Sequence, residues 1–352
     1  SMASEDNPIR PSFTFIKSND KKIISIEAIS PKKPIKWVLP PSKSHLIRTL
    51  IIAAQSNQKV KISGIKHSGE DAQSMKNCLV QLGVKIDHCD KNGLVLLDIP
   101  ENYSEFYSFT VKGVGDFGFK NPDRPLDVGN SGTALRLIAL LCARFDFPIT
   151  IEGDDSMSKR DTSILWESLR SSGVEISINN EINKLPVSIK GPWFTDSSNK
   201  SLILDVSKSS QPFSAWMISA PGLPFTIDLK LIGESVSNRH WMLSRDMCEL
   251  SGSNIIIDKD NVSISPWNVK LEPHLVIPKD ASMASFAMLA VACLDIEVNL
   301  VGWPHKSDCL GHEILKEISD DLGISWSNGV LNKSSSGRSI EVNLNDSNDL
   351  IT

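Results

Sequence analysis

The strongest regularity along the chain is an amphipathic helical stretch that ends in glycine and passes at once into β-branched residues. It runs from Met75 to Leu82 and on through Gly83-Val84-Lys85-Ile86, and again from Leu165 to Ser172 and through Gly173-Val174-Glu175-Ile176. A third copy, Met247 to Ser251, passes Gly252 into Ile255-Ile256-Ile257, and a fourth, Ile314 to Leu322, passes Gly323 into Ile324. Each glycine stands where a helix needs a left-handed residue just past its end, which a side chain would oppose. One such junction is commonplace. Four of them, spaced roughly 70 to 90 residues apart, indicate a supersecondary unit used repeatedly.

Between these junctions lie helical stretches of another kind, Leu46–Ala54, Thr133–Arg144, Phe213–Ser219 and Ser282–Cys293, apolar on most sides. Each follows a short polar or Gly/Ser turn. The pattern predicts a β-α-β-α-β-β unit with one largely buried helix and one amphipathic helix. The plainer alternative is an α/β chain whose helices happen to end in glycine. The Pro-rich stretch from Pro31 to Pro41 and the stretch from Glu272 to Asp280 read as crossings between two bodies.

Composition narrows the classes without naming one. The 352 residues suffice for two domains, and 40% hydrophobic with 22% charged residues predicts an ordinary globular core. A net charge of −5 argues against a nucleic-acid partner but leaves room for a local basic pocket. Cys78, Cys89, Cys142, Cys248, Cys293 and Cys309 are scattered, with no C-x-x-C pair, so reduced thiols and no metal are expected. The longest apolar runs, such as Leu135 to Ala143, are too short to span a bilayer. Ser1-Met2-Ala3 reads as an expression scar with no signal peptide, so a cytoplasmic protein is expected.

The candidate chemistry sits at the starts of the apolar helices. Ile35 to Leu39 reads as a strand ended by Pro40-Pro41, after which Ser42 or Ser44 caps a helix carrying Leu46, Ile47, Leu50 and Ile51. Ser44 and Arg48 share a face there, and Lys43 lies in the turn. Cations at a helix start oppose its dipole, so they are poor structural choices unless an anion joins them. A solvated polar turn is the bland reading of one such site. The second apolar helix, however, follows Asp127-Val128-Gly129-Asn130-Ser131-Gly132-Thr133 and carries Arg136 in its first turn. The third follows Ser207-Lys208-Ser209-Ser210-Gln211, with Pro212 suited to the first helical position. Three equivalent helix starts supplied with hydroxyls, glycines and cations predict a shared phosphate or carboxylate pocket.

Pro41-Ser42-Lys43-Ser44-x-x-x-Arg48, Asn130-Ser131-Gly132-Thr133-Ala134-x-Arg136 and Ser209-Ser210-Gln211 occur in the order found in the EPSP synthases, the 3-phosphoshikimate 1-carboxyvinyltransferases of the shikimate pathway. Asp280-Ala281-Ser282-x-Ala284-Ser285-Phe286 resembles that family's G-D-x-S-S-A-x-F segment. Lys159-Arg160-Asp161 resembles its Arg-Pro dipeptide with Asp replacing Pro. The likeness runs from about residue 35 to the last residue and rests on the combination of motifs.

The resemblance implies an α/β fold, a two-domain inside-out α/β barrel of repeated βαβαββ units. Residues 41–276 would form a complete three-unit domain holding most phosphoshikimate-binding residues, and 1–40 plus 277–352 a partial second one. It implies transfer of the enolpyruvyl group from phosphoenolpyruvate to the 5-hydroxyl of shikimate 3-phosphate, with no cofactor or metal. Shikimate 3-phosphate would be held by Lys43, Ser44, Arg48, Ser209, Ser210, Gln211, Ser237, His240 and Asp349, where His240 falls at a position that is often Tyr in the family. Phosphoenolpyruvate would be held by Lys43, Gly132, Arg160 and Gln211. Lys43 would act as clamp and proton donor and Asp349 as base. The partners implied are these two small molecules, with no nucleic acid or membrane, and a monomer at full length.

The sequence also departs from the family pattern. Four units are present where the architecture wants six, and the later K-E-S-D-R-like, D-H-R-like and late-Lys motifs are missing. His305 to Cys309 superficially resembles the first of these but lies in the fourth unit, before Asp349, and is set aside. The second domain is therefore expected to lack its C-terminal units, whether through truncation, a partner chain, or loss of the reaction with binding kept. Pro41, Ile47 and Asp161 replace the family's usual Gly, Asn and Pro. The arm up to Pro34 carries no readable motif. Two other functions stay open: the related UDP-amino-sugar carboxyvinyltransferase, and a non-catalytic small-anion-binding protein of the same fold. The former usually carries a catalytic Cys in a loop absent here, and Ser209-Ser210-Gln211 favours the phosphoshikimate type.

Overall fold

The computed structural model describes residues 13–18, 21–26, 34–97, 107–178, 185–236, 238–294, 296–304 and 312–334. The N-terminal arm, which carries no motif, holds a hairpin of β1 (Phe13–Ser18) and β2 (Lys21–Ile26), paired antiparallel with Phe13 opposite Ile26. β3 (Ile35–Val38) follows, then α1 (Lys43–Ala54), β4 (Lys59–Ser63), α2 (Glu70–Gln81), β5 (Lys85–Cys89) and β6 (Ser108–Lys112).

The next two stretches repeat that order with a strand of their own at the front. The first comprises β7 (Leu126–Asp127), α3 (Gly132–Cys142), β8 (Ile149–Glu152), α4 (Ser163–Ser171), β9 (Glu175–Ile178) and β10 (Val187–Lys190). The second comprises β11 (Ser201–Asp205), α5 (Gln211–Ser219), β12 (Ile227–Ile232), α6 (Asn238–Leu250), β13 (Ile255–Asp258) and β14 (Asn261–Ile264). The chain continues with β15 (His274–Val276), α7 (Ala284–Leu294), β16 (Val298–Val301), α8 (His312–Ser319), β17 (Ile324–Ser327) and β18 (Val330–Lys333).

Each unit makes a four-stranded sheet, and no sheet closes on itself among the described strands. The orders β7-β8-β10-β9 and β11-β12-β14-β13 show the expected β-α-β-α-β-β unit drawn from contiguous chain, its first pair parallel and the rest antiparallel. Gly83, Gly173, Gly252 and Gly323 all have positive φ, at 93°, 92°, 102° and 71°, as the junction pattern requires.

The other two sheets differ in one strand each. β3 precedes α1 in the chain, yet it pairs parallel with β16, Ile35 opposite Val298. The place it leaves beside β4 is taken by β15, with His274 opposite Lys61. Local pattern marks Ile35 to Val38 as a strand, but it does not say which edge receives it. The linking segments pair with each other. Ser42 N–H donates to the Pro278 carbonyl and Asp280 N–H to the Pro40 carbonyl, both at 2.8 Å, around an antiparallel bridge of Pro41 with Lys279. By contacts the chain divides into a unit built on Leu39–Ser285 and a smaller one that includes β3, Phe286–Val301 and the described residues after Lys316. In the smaller unit α7 is apolar along its length and still exposes Phe286 and Leu289.

In the larger unit α1, α3 and α5 are buried almost residue for residue, and their C-terminal ends meet at one guanidinium. Arg144, two residues past α3, donates from Nη2 to the Ser219 carbonyl of α5 (3.0 Å) and to Gln55 Oε1 at the cap of α1 (2.7 Å). Its Nε bonds the Leu141 carbonyl and its Nη1 the Asp116 carbonyl. Gln55 Nε2 in turn donates to the carbonyls of Ile51 and Ile218. A cation at the negative end of three helix dipoles satisfies carbonyls that no helix can pair internally. At the opposite ends of two of them, Arg136 in the first turn of α3 meets Gln211 at the start of α5, so α3 and α5 run the same way.

Replacing Arg144 with Met should strand the Ser219 and Asp116 carbonyls and cost about 3–5 kcal/mol of stability. Urea unfolding measures it, and a loss under about 1 kcal/mol would refute the pin. Burial also pushes the Asp116 carboxyl up to about 6, above the ordinary carboxylate range, against the pull of Arg144. The folded state thus holds this proton more tightly than the unfolded one, so the group lowers stability as pH rises from about 4 to 6. Asp116→Asn should accordingly be more stable than the parent by about 1–2 kcal/mol at pH 7.5, once water screening is allowed for, and equal to it near pH 4. Paired unfolding curves at the two pH values check this.

Candidate anion-binding site

The starts of α1, α3 and α5 differ in what they present. At α1, the Ser42 hydroxyl caps the helix, accepting from His45 N–H at 3.4 Å and lying 2.7 Å from His45 Nδ1. Lys43 is 58% exposed but engaged: its Nζ lies 2.9 Å from Asp71 Oδ2, in the first turn of α2. Arg48 is 1% exposed. Its Nε donates to Ser244 Oγ of α6 (2.8 Å) and its Nη1 to the Ser44 carbonyl (3.0 Å), while Nη2 has no hydrogen-bond partner. Burial pushes its pKa down to about 10.

His240, on α6, belongs to the same cluster. Burial, then the charges of Arg48 and Lys43, depress its pKa to about 4, and its Nδ1 is buried without a partner. Burial and Arg48 bring His45 to about 4 as well. Both imidazoles are therefore neutral at pH 7. An unfolded imidazole binds its proton near 6.5, so both groups cost stability as pH falls from there toward 4.

At α3, Ser131 caps the helix by accepting from Ala134 N–H. Arg136 is 8% exposed, and its Nη1 donates to the Gly132 carbonyl (2.9 Å) and to Gln211 Oε1 at the start of α5 (3.0 Å). Its Nε has no partner, and burial followed by repulsion from Arg160 pushes its pKa down to about 10. Arg160 reaches the same turn, 3.3 Å from the Asn130 carbonyl and from Asn130 Oδ1. A Cβ on Gly132 would lie 2.5 Å from Arg160 Nη1 and 2.8 Å from Arg136 Nη1, so only glycine lets both guanidiniums close on this turn.

At α5, Ser209 Oγ accepts from Gln211 N–H (3.2 Å), and Ser210 is fully buried. Of the residues read from sequence, the structure thus brings Lys43, Ser44, Arg48 and His240 into one cluster, and Gly132, Arg160 and Gln211 into another, with Ser209 and Ser210 beside the latter. Ser237 and Asp349 lie outside the described residues. Asp71 and Ser244 were missed. Asp71 looks like an ordinary acidic residue at a helix start, and Ser244 meets Arg48 only through the α1–α6 packing. Among the described residues no group of His, Cys, Asp and Glu could hold a metal, and no helix is long and apolar enough to cross a membrane.

The charge pattern calls for a ligand. Two nearly buried guanidiniums each keep an unpaired N–H, and their short contacts are hydroxyl, amide and carbonyl oxygens. A buried cation without a carboxylate is costly unless an anion completes it.

Comparison with known proteins identifies the family. The profile of the EPSP synthase (3-phosphoshikimate 1-carboxyvinyltransferase) family matches residues 35–352. A 3-phosphoshikimate 1-carboxyvinyltransferase of Rhizobium etli is 28% identical over 279 residues, covering 77% of this chain and 60% of that protein. One from Herpetosiphon aurantiacus is 29% identical over 294 residues, covering 82% and 62%. The chain thus spans about 60% of the length of these relatives. The EPSP synthase structure from Acinetobacter baumannii superposes with a TM-score of 0.67 at 23% identity, over 92% of this chain and 71% of that one, which shows the fold.

Arg48→Met should separate ligand binding from stability. Without a ligand, the variant should be more stable than the parent by about 1–3 kcal/mol, because an incompletely paired buried charge is gone. Its affinity for inorganic phosphate or a phosphorylated ligand should fall at least about tenfold. Thermal melts and titration calorimetry read the two effects, and a variant both destabilised and fully able to bind would refute the assignment.

Proposed function

The chain belongs to the EPSP synthase family, and from that premise we propose that it works in the shikimate pathway, as a 3-phosphoshikimate 1-carboxyvinyltransferase or the greater part of one. The observation that carries this reading is the pair of buried guanidiniums, Arg48 and Arg136, with unpaired N–H groups in the first turns of α1 and α3. Both substrates are polyanions, and bringing them together requires fixed positive groups that offset their repulsion.

In this reading the 5-hydroxyl of shikimate 3-phosphate adds to C2 of phosphoenolpyruvate while C3 takes a proton. C3 then returns a proton as phosphate leaves, so the enolpyruvyl group is transferred intact. Ser44, Arg48, Ser209, Ser210, Ser237 and His240 bind shikimate 3-phosphate, with His240 neutral and able to take a hydrogen bond from a ring hydroxyl. Gly132, Arg160 and Gln211 bind phosphoenolpyruvate, and Arg136 supports them from beneath. Lys43 reaches both ligands by exchanging Asp71 for a phosphate oxygen, and it delivers the proton. Asp349 is the base. Residues 41–276 form the complete three-unit domain, and 1–40 with 277–352 contribute to a second. The protein is cytoplasmic and needs neither metal nor cofactor.

Calorimetry with shikimate 3-phosphate should show one site per chain. Phosphate release from phosphoenolpyruvate plus shikimate 3-phosphate then separates an enzyme from a binding protein of the same fold. Lys43→Met should lower that release by about 100-fold or more where the parent is active. Normal turnover by the variant would remove Lys43 from the mechanism, and tight binding by the parent with no turnover would favour the binding-protein reading.

A further inference from the structure

Two turns of the proposed site come from different units of the fold, and they are joined at two depths. Beneath the surface, Arg136 bridges the Gly132 carbonyl to Gln211 Oε1. Nearer to solvent, Lys208 Nζ donates to Asp161 Oδ2 at 3.0 Å. Each member of this outer pair adjoins an anion-handling residue in the sequence, Asp161 next to Arg160 and Lys208 next to Ser209.

The carboxylate is held from a second side as well. Asp161 Oδ1 accepts from Ser163 N–H (3.0 Å) and from Ser163 Oγ–H (2.6 Å), which fixes its plane at the start of α4, while Oδ2 meets Lys208. These bonds, with Lys208, hold its pKa at about 2, so it stays charged throughout the working range. On the other side, Lys208 also lies in the field of Asp205 and Glu167. An ordinary surface ion pair loses much of its attraction to the entropy of ordering two side chains. Here one partner is already ordered, which favours a defined geometry. Proline, the residue that the resembled motif places at position 161, could not supply this charge, so the pair is a property of this chain.

We propose that Asp161 and Lys208 form a positioning latch that sets the distance between the Arg160 turn and the Ser209-Ser210-Gln211 turn, so that phosphorylated ligands meet both turns in one arrangement. The same pairing cancels the Lys208 charge and keeps the exposed ammonium from drawing a phosphate away from the buried guanidiniums. The ligand part of this proposal rests on the phosphate-binding reading of Ser209 and Gln211; the coupling of the turns does not.

A double-mutant cycle of Asp161→Asn and Lys208→Met tests it. Three measurements are needed: hydrogen–deuterium exchange of residues 158–162 and 206–211 without ligand, calorimetric affinity for inorganic phosphate and for shikimate 3-phosphate, and thermal midpoint. Each single variant should speed exchange in both turns and weaken binding about two- to fivefold, with the midpoint unchanged. The double variant should be no worse than either single one, because only one interaction is lost. Additive losses, exchange that changes in only one turn, or a midpoint falling in step with affinity would overturn the latch. So would a Lys208→Met loss with no Asp161→Asn loss, which would mean that Lys208 touches the ligand itself. Failure of the parent to bind either ligand, with both turns still responding together, would uphold the coupling and sink the substrate reading instead.

Discussion

The buried guanidinium of Arg144 is the constraint on which the larger unit turns. A helix leaves its last carbonyls unpaired, and three helices ending in one place would ordinarily leave a cluster of buried acceptors. Arg144 and Gln55 meet that need together, with donors placed on α1, α3 and α5 at once. Phe119 covers the guanidinium from one side, its ring centroid 5.7 Å from Cζ. At the other end, Arg136 joins the start of α3 to Gln211 at the start of α5, so the positive ends of these two helices meet.

The starts of these helices are electrostatically uneasy. Each carries the positive end of a dipole, and the sequence adds Lys43 and Arg48 at α1, and Arg136 with Arg160 at α3, where acidic residues would have been stabilising. Only part of this charge is met locally, by Asp71 at Lys43 and by Asp161 at Lys208. The histidines among these cations are forced neutral, so they contribute hydrogen bonds and no further repulsion. The larger unit therefore keeps buried positive charge incompletely paired at these helix starts, a cost that a protein selected for stability alone would not keep.

The local units were legible in the order of residues alone, because their signals are local. Helix ends marked by Gly83, Gly173, Gly252 and Gly323, strands rich in Ile and Val, and helix starts rich in Ser and Gly depend on neighbours within one turn, and each is found where the pattern puts it. The Ser/Gly helix-start motifs were legible for the same reason, although the need for glycine at 132 comes from the Arg160 and Arg136 guanidiniums that close on it. The hairpin of β1 and β2 was not read, since two short alternating strands with no site residue leave little signal.

Packing settled what depends on partners distant in sequence. It sent β3 to β16 and gave its place to β15, a choice between sheet edges that hydrogen-bond identically and that no run of four residues can encode. It tied Lys43 to Asp71, Arg48 to Ser244 and Asp161 to Lys208. It also showed that Arg48 and Arg136 are buried, and burial is what separates a solvated surface cation from one that awaits an anion. Charge can be counted along a chain, but its cost is set by the dielectric around it, and that exists only once the helices have packed.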